Sequence, residues 1–183
     1  MNSMLISEQN TAVILVDKND RELGQIDKLS AHRDNLCHRA FSVCLTRIQD
    51  GETQLLLQQR QMSKYHGKGL WSNTCCSHPK PGEKLQEAAK KRLQFEMGIT
   101  CDLVHIGALY YQANMAEGLF EHEYDHIFHG TYNGNINAFN TDEVMAAQWL
   151  PLSNLQQALG ETPKEYTPWL SLVVNKLCQH IQF

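Results

Sequence analysis

At 183 residues with 42% hydrophobic content, the chain is long enough to bury a core and reads as one domain spanning 1–183. With 16 Lys+Arg against 20 Asp+Glu the formal net charge is -4, which argues against nucleic acid or an acidic membrane as partner and requires any anionic ligand to meet a local basic site. The His count of 9 and Cys count of 6 raise metal or thiol chemistry without settling it.

Met1 to Asn10 lacks the basic start and long apolar stretch of a signal peptide, and Ala12 to Val16 is far too short to span a bilayer. A cytoplasmic location is the expectation. Thiols stay reduced there, and the adjacent Cys75 and Cys76 would begin a disulfide framework poorly.

In chain order, Ala12 to Val16 reads as a buried strand ending at the Lys18-Asn19-Asp20 turn. Arg39 to Ile48 and Gln54 to Arg60 flank Gln49-Asp50-Gly51-Glu52 as the arms of a hairpin would. Lys84 to Met97 carries helix formers with Leu85, Ala88, Ala89 and Leu93 at helical spacing, and Gly98 stands where a C-terminal cap belongs. Cys101 to Gln112, Glu121 to Tyr132 and Val144 to Leu150 read as strands, with Asn133-Gly134-Asn135 a turn between the last two. Thr167 followed by Pro168 predicts an N-cap and preset first turn for a closing helix, striped by Leu170, Val173, Val174, Leu177 and Ile181. The fold class is mixed α/β, with a largely antiparallel or mixed sheet.

Several charged residues fall where a core is expected. On a helical wheel of about 100° per residue, Arg92 and Glu96 share the side of Leu85, Ala89 and Leu93. They are either an ion pair at four-residue spacing or ligand contacts, with Arg92 forking onto phosphate and Glu96 holding a hard cation. Glu121, Glu123 and Asp125 point to one face of a strand, as a solvated edge or as metal ligands. His32, His38 and His78 lie in or beside turn-rich segments and would join the two glutamates in a mixed N/O site.

The thiol of Cys76 precedes His78 by two residues and is open to catalytic, zinc-binding or packing roles; Cys37, Cys44, Cys101 and Cys178 sit in apolar patterns and read as packing. Lys28, Arg60 and Lys64 are separate in sequence but could gather with Arg92 around one anion. Tyr111 and Trp169 fit either a core or a site.

Through His38-Arg39-Ala40-Phe41-Ser42, Thr74-Cys75-Cys76-Ser77-His78-Pro79 and Glu121-His122-Glu123, in that order and spacing, the chain resembles the type I isopentenyl-diphosphate isomerases. That family resembles Nudix proteins in fold, a mixed sheet between helices, and Glu83 to Gly98 is similar to an altered Nudix signature. Where the signature wants Gly, Arg-Glu and Glu-Glu, this chain has Ser77, Lys91-Arg92 and Phe95-Glu96.

The resemblance implies that His32, His38, His78, Glu121 and Glu123 bind one divalent metal (Mn2+, Mg2+ or Zn2+). It also implies that Glu96 helps hold Mg2+ carried by the substrate diphosphate, contacted by Lys28, Arg60, Lys64 and Arg92. Cys76 and Glu123 would be the proton-transfer pair interconverting isopentenyl and dimethylallyl diphosphate, with Tyr111 assisting. A closed pocket and an aromatic face such as Trp169 would stabilise the tertiary cation between the two transfers. The expected partner is a small isoprenoid diphosphate, with neither nucleic acid nor membrane, on a monomer or homodimer. A Nudix-type diphosphate hydrolase and a non-catalytic metal- or thiol-binding module are the rival readings.

Overall fold

A computed structural model describes residues 11–64, 66–136 and 138–181. Its organising strand is β3 (His38–Gln49), a run of apolar and β-branched residues whose alternate side chains enter two separate cores. Val43 and Leu45 pack under α2 (Leu85–Met97), while Cys44 packs under α3 (Leu152–Glu161) and α4 (Leu170–Ile181). Leu56 joins the first core and Leu55 and Leu57 the second, so β4 (Glu52–Arg60) is likewise covered on both faces. The mixed sheet lies between helices, as the resemblance implied.

One edge of β3 runs parallel to β8 (Phe120–Thr131) from the His38/Glu123 pair to the Thr46/Thr131 pair. Its other edge meets three antiparallel partners in turn. These are β1 (Ala12–Val16) at His38, β6 (Cys75–Ser77) at Phe41 to Val43, and β4 from Thr46 outward. Beyond them β2 (Glu22–Asp27) pairs with β1, β5 (Trp71–Ser72) and β9 (Val144–Pro151) with β4, and β7 (Val104–Asn114) with β8, making nine strands among the described residues.

The β3/β4 hairpin is therefore paired only near its turn and then opens, and Trp71–Ser77 fills the gap. Thr74 bridges the opening: its Oγ1 accepts from the Leu45 amide at 2.9 Å and donates to the Leu56 carbonyl at 2.7 Å. Asn73 Nδ2 donates to the carbonyls of Val43 and Cys75, and Asn73 Oδ1 accepts from Ser72 Oγ and from Trp169 Nε1. All of Ser72, Asn73 and Thr74 are buried, so these bonds stand where water cannot replace them.

Helix α2 begins one residue later than expected, after Lys84, and ends at Gly98 as predicted. Gly98 has φ 66°, and a Cβ there would stand 2.3 Å from the Ala138 carbonyl oxygen, so the cap is restricted to glycine by conformation and space together. The closing helix differs from expectation. Helix α4 starts at Leu170, whose amide donates to the Thr167 backbone carbonyl and not to its side chain; the Thr167 hydroxyl instead donates to Ser72 Oγ at 3.2 Å. The chain bends at Gly134 between β8 and β9, which are not paired with each other, since β8 pairs with β3 and β7 whereas β9 pairs with β4. No helix among the described residues is long and apolar enough to cross a membrane.

Replacing Thr74 by Val keeps the volume but strands the Leu45 amide and the Leu56 carbonyl, which should cost about 2–4 kcal/mol in urea unfolding. A loss below about 1 kcal/mol would mean that other groups close the gap.

Candidate active site

Strand register brings the sequence-separated residues into one row. On β7, β8 and β3, Tyr111 faces Glu123 and Glu123 faces His38 directly across the ladders; Ser42 on β3 faces Cys76 on β6. Residues opposite one another point to the same side of a sheet. His78 follows β6 immediately, and His32 enters from α1 (Lys28–Arg33), capped by Asp27, whose carboxylate accepts from the Ser30 amide. His32 and His38 thus sit on a helix and at a strand start, on either side of the turn at Asp34 and Asn35.

The imidazoles converge with fixed orientations. His38 Nδ1 donates to the Leu36 carbonyl and His32 Nδ1 to the Phe120 carbonyl, both at 2.8 Å, and a carbonyl can only accept. Their Nε2 lone pairs are therefore left for another partner. His38 Nε2 lies 3.2 Å from His78 Nε2, which is 2.9 Å from Glu123 Oε1.

One ligand atom from each of His32, His38, His78 and Glu123 falls within 4.8 Å of the others, and a second such group joins His32, His66 and Glu121. Burial pushes the His78 imidazole down to about 3 against the opposing bond to Glu123, and holds His32 far below its usual range, so both are neutral. Neutral imidazoles with oriented lone pairs beside carboxylates are the donor chemistry a divalent metal takes. The residues fit a metal, in a candidate site of four to six donors.

Glu121, Glu123 and Asp125 are all buried, which rules out the solvated edge. Burial opposes ionisation of Glu123, but the neighbouring His38 and His78 rings outweigh it and hold the carboxylate well below its usual range. Burial and the Glu123 charge raise Glu121 and Asp125. Tyr111 donates to Glu123 Oε2 at 2.6 Å, and Ser42 donates to Asp125 Oδ2 at 2.8 Å. Burial pushes the Cys76 thiol up to about 12, with the Arg60 Nη1 at 3.9 Å from Sγ pulling the other way.

The four predicted cations, Lys28, Arg60, Lys64 and Arg92, line one cavity together with Cys76, His78, Tyr111, Glu121, Glu123 and Trp169. None is idle. Arg60 donates to the carbonyls of His66 and Gly67 and lies 5.6 Å above the Trp169 ring. Arg92 donates to Glu96 Oε1 at 2.7 Å and to Glu143 Oε2 at 2.9 Å, and Lys64 also bonds Glu143. The Arg92/Glu96 pair is thus an ion pair, and its guanidinium faces the cavity.

Beyond Arg92 a depression of about 330 Å³, shared by Lys28, Ser77, His78 and Arg92, adds Lys80 to the basic rim. Of the remaining cysteines, Cys44 is core, Cys101 and Cys178 pack on its flanks, Cys37 is half-buried, and all six are free.

Sequence reasoning passed over Glu143 and His66. Glu143 follows Thr141-Asp142 at the start of β9 and carries no periodic signal. His66 stands in a turn with Gly67 and Gly69, the setting that was credited to the other histidines.

Residues 38–170 match the NUDIX domain. Solved structures agree on the fold. A Deinococcus radiodurans protein superimposes with a TM-score of 0.73 at 14% identity, covering 90% of this chain and 98% of its own. The MutT protein of Methanosarcina mazei Go1 gives 0.61 at 17% identity, covering 80% and 96%.

Much nearer in sequence are proteins named isopentenyl-diphosphate Delta-isomerase. That of Burkholderia multivorans is 42% identical over 164 residues, 90% of this chain and 91% of its own, and that of Photobacterium profundum 42% over 182 residues, 95% and 98%. The chain belongs to the NUDIX family and, within it, to the type I isopentenyl-diphosphate isomerases.

A thiol held near 12 has about one part in 10⁴ as thiolate at pH 8, so Cys76 should react with iodoacetamide at least about 100-fold more slowly than free cysteine. The Cys76 rate, followed by peptide mass spectrometry, should climb about tenfold per pH unit from pH 8 to 10. A plateau below pH 9 would contradict the shift.

Proposed function

We propose that the chain interconverts isopentenyl and dimethylallyl diphosphate by a 1,3-allylic proton transposition, in the cytoplasmic supply of isoprenoid precursors. The carrying observation is one cavity in which a protonated thiol, an ionised carboxylate and four cations meet. An unactivated alkene has no lone pair, so its isomerisation needs a positioned acid at one carbon and a base at another.

Cys76 delivers its proton to the terminal methylene, the alkene electrons form the new C–H bond, and a tertiary cation remains. Arg60, beside Sγ, lowers the cost of the thiolate left behind. Glu123 removes a proton from the carbon nearer the diphosphate, and those electrons close the new double bond. The reverse reaction exchanges the two roles, and solvent resets both groups. Tyr111, held on Glu123 Oε2, fixes the orientation of that carboxylate. The buried Trp169 ring offers a π-face to positive charge and keeps water from capturing the cation.

Lys28, Arg60, Lys64 and Arg92 bind and orient the diphosphate. Glu96 spends Oε1 on Arg92 and Oε2 on Gln58, so it would meet magnesium carried by the diphosphate once Arg92 turns toward phosphate. His32, His38, His78, Glu121 and Glu123 would hold a divalent ion (Mn2+, Mg2+ or Zn2+) that supplies fixed positive charge beside Glu123. A hydrolase is disfavoured because Lys91, Arg92 and Phe95 stand where the Nudix signature carries Arg, Glu and Glu, removing carboxylates that would gather metal on a phosphate.

With magnesium present, isopentenyl diphosphate should yield its isomer without phosphate release, and Cys76→Ala or Glu123→Gln should lower kcat at least about 10³-fold with an unchanged circular dichroism spectrum. Near-normal turnover in either variant would overturn the assigned roles; release of inorganic phosphate or a monophosphate would identify a hydrolase.

A further inference from the structure

The metal-binding reading gathers Glu121 with His38 and His78, yet the structure groups it differently. Glu121 sits with His66 and His32: His66 Nδ1 is 3.1 Å from Glu121 Oε1, and one ligand atom from each of the three residues lies within 4.8 Å of the others. The His66 ring centroid is 5.0 Å from that of His32, and its side chain is buried within the same cavity. His32 is common to both donor groups, so the two are contiguous.

Adjacent donors on one ion, each about 2.1 Å from it and at right angles, stand about 3.0 Å apart. The His66/Glu121 separation of 3.1 Å matches that spacing as well as the His38/His78 separation of 3.2 Å and the His78/Glu123 separation of 2.9 Å do. Five donors also leave one vertex of an octahedron open, and His66 lies on the side where Glu121 enters.

His66 is held in place by its neighbours. Its backbone carbonyl accepts from Arg60 Nη2 at 3.1 Å, and its ring stands edge-on to Trp169 at 6.4 Å. Gly67, which follows it, has φ 58°, and a Cβ there would come within 3.1 Å of Arg60 Nε. The loop is thereby bent to bring the imidazole inward.

We propose that His66 is a further ligand of the protein-bound divalent metal, entering through Glu121 and completing a six-donor centre when the ion draws the two contiguous donor groups together. The inference rests on the metal-centre reading and is separable from it. Such a centre is closed by protein atoms, so its ion acts on Glu123 as a fixed charge and not through direct contact with substrate.

The test is made on metal-stripped full-length protein titrated with Co2+, comparing wild type, His66→Gln and His38→Gln by visible absorption and calorimetry. His66→Gln should weaken Co2+ binding about 10–100-fold and alter the ligand-field bands, consistent with loss of one nitrogen donor. Unchanged affinity and bands in His66→Gln, alongside their loss in His38→Gln, would overturn the role of His66 alone. Unchanged binding in both variants would overturn the metal centre itself. If His66→Gln does not fold, X-ray absorption of the zinc-loaded wild type decides: four coordinated imidazoles support the proposal, three refute it.

Discussion

The site depends on one act of separation: the β3/β4 hairpin is held open by a buried hydroxyl. Thr74 Oγ1 takes the Leu45 amide and the Leu56 carbonyl, groups that would pair with each other's strands if the hairpin closed. In the space so made, β6 pairs with β3 in a register that sets Cys76 opposite Ser42, four residues along the strand from His38 and its partner Glu123. Asn73 extends the same lock to the far side of the molecule by accepting from Trp169, so the aromatic wall is keyed to the strand that carries the thiol. A thiol, a carboxylate and an aromatic wall drawn from three parts of the chain are thereby fixed by one short segment.

Opening the hairpin also creates an electrostatic problem. Glu96, Glu121, Glu123, Asp125 and Glu143 are all buried at or near the cavity, where an isolated carboxylate would be protonated or would destabilise the fold. Each has a local answer: Arg92 and Gln58 for Glu96, Arg92 and Lys64 for Glu143, His38, His78 and Tyr111 for Glu123, Ser42 for Asp125, and a raised proton affinity for Glu121. The division is uneven. Glu123 keeps its charge, while burial and that charge push Glu121 and Asp125 toward protonation.

Much of this was legible in residue patterns. The period of Leu85, Ala88, Ala89 and Leu93 gave a helix whose end at Gly98 holds to the residue, and charges at Arg92 and Glu96 on its apolar side marked a cavity wall. The spacing of Glu121, Glu123 and Asp125 placed three acids on one face. What escaped is what long-range pairing decides. Thr167 reads locally as an N-cap, but Ser72, ninety-five positions away, takes its hydroxyl. Trp71–Ser77 splits into two short strands because it fills a gap made by others, and no local pattern carries that instruction. Glu143 and His66 reach the site only because β9 pairs with β4 and the Gly67 turn bends inward.

The central claim is that a proton is added at one carbon and a different proton removed at another by two separate groups in exchange with water. Isopentenyl diphosphate and magnesium incubated with the protein in heavy water, followed by proton NMR, tests it most directly. The account predicts dimethylallyl diphosphate with solvent deuterium in its methyl groups. Product formed without deuterium would mean that hydrogen migrates within the substrate, and would contradict the two-group mechanism.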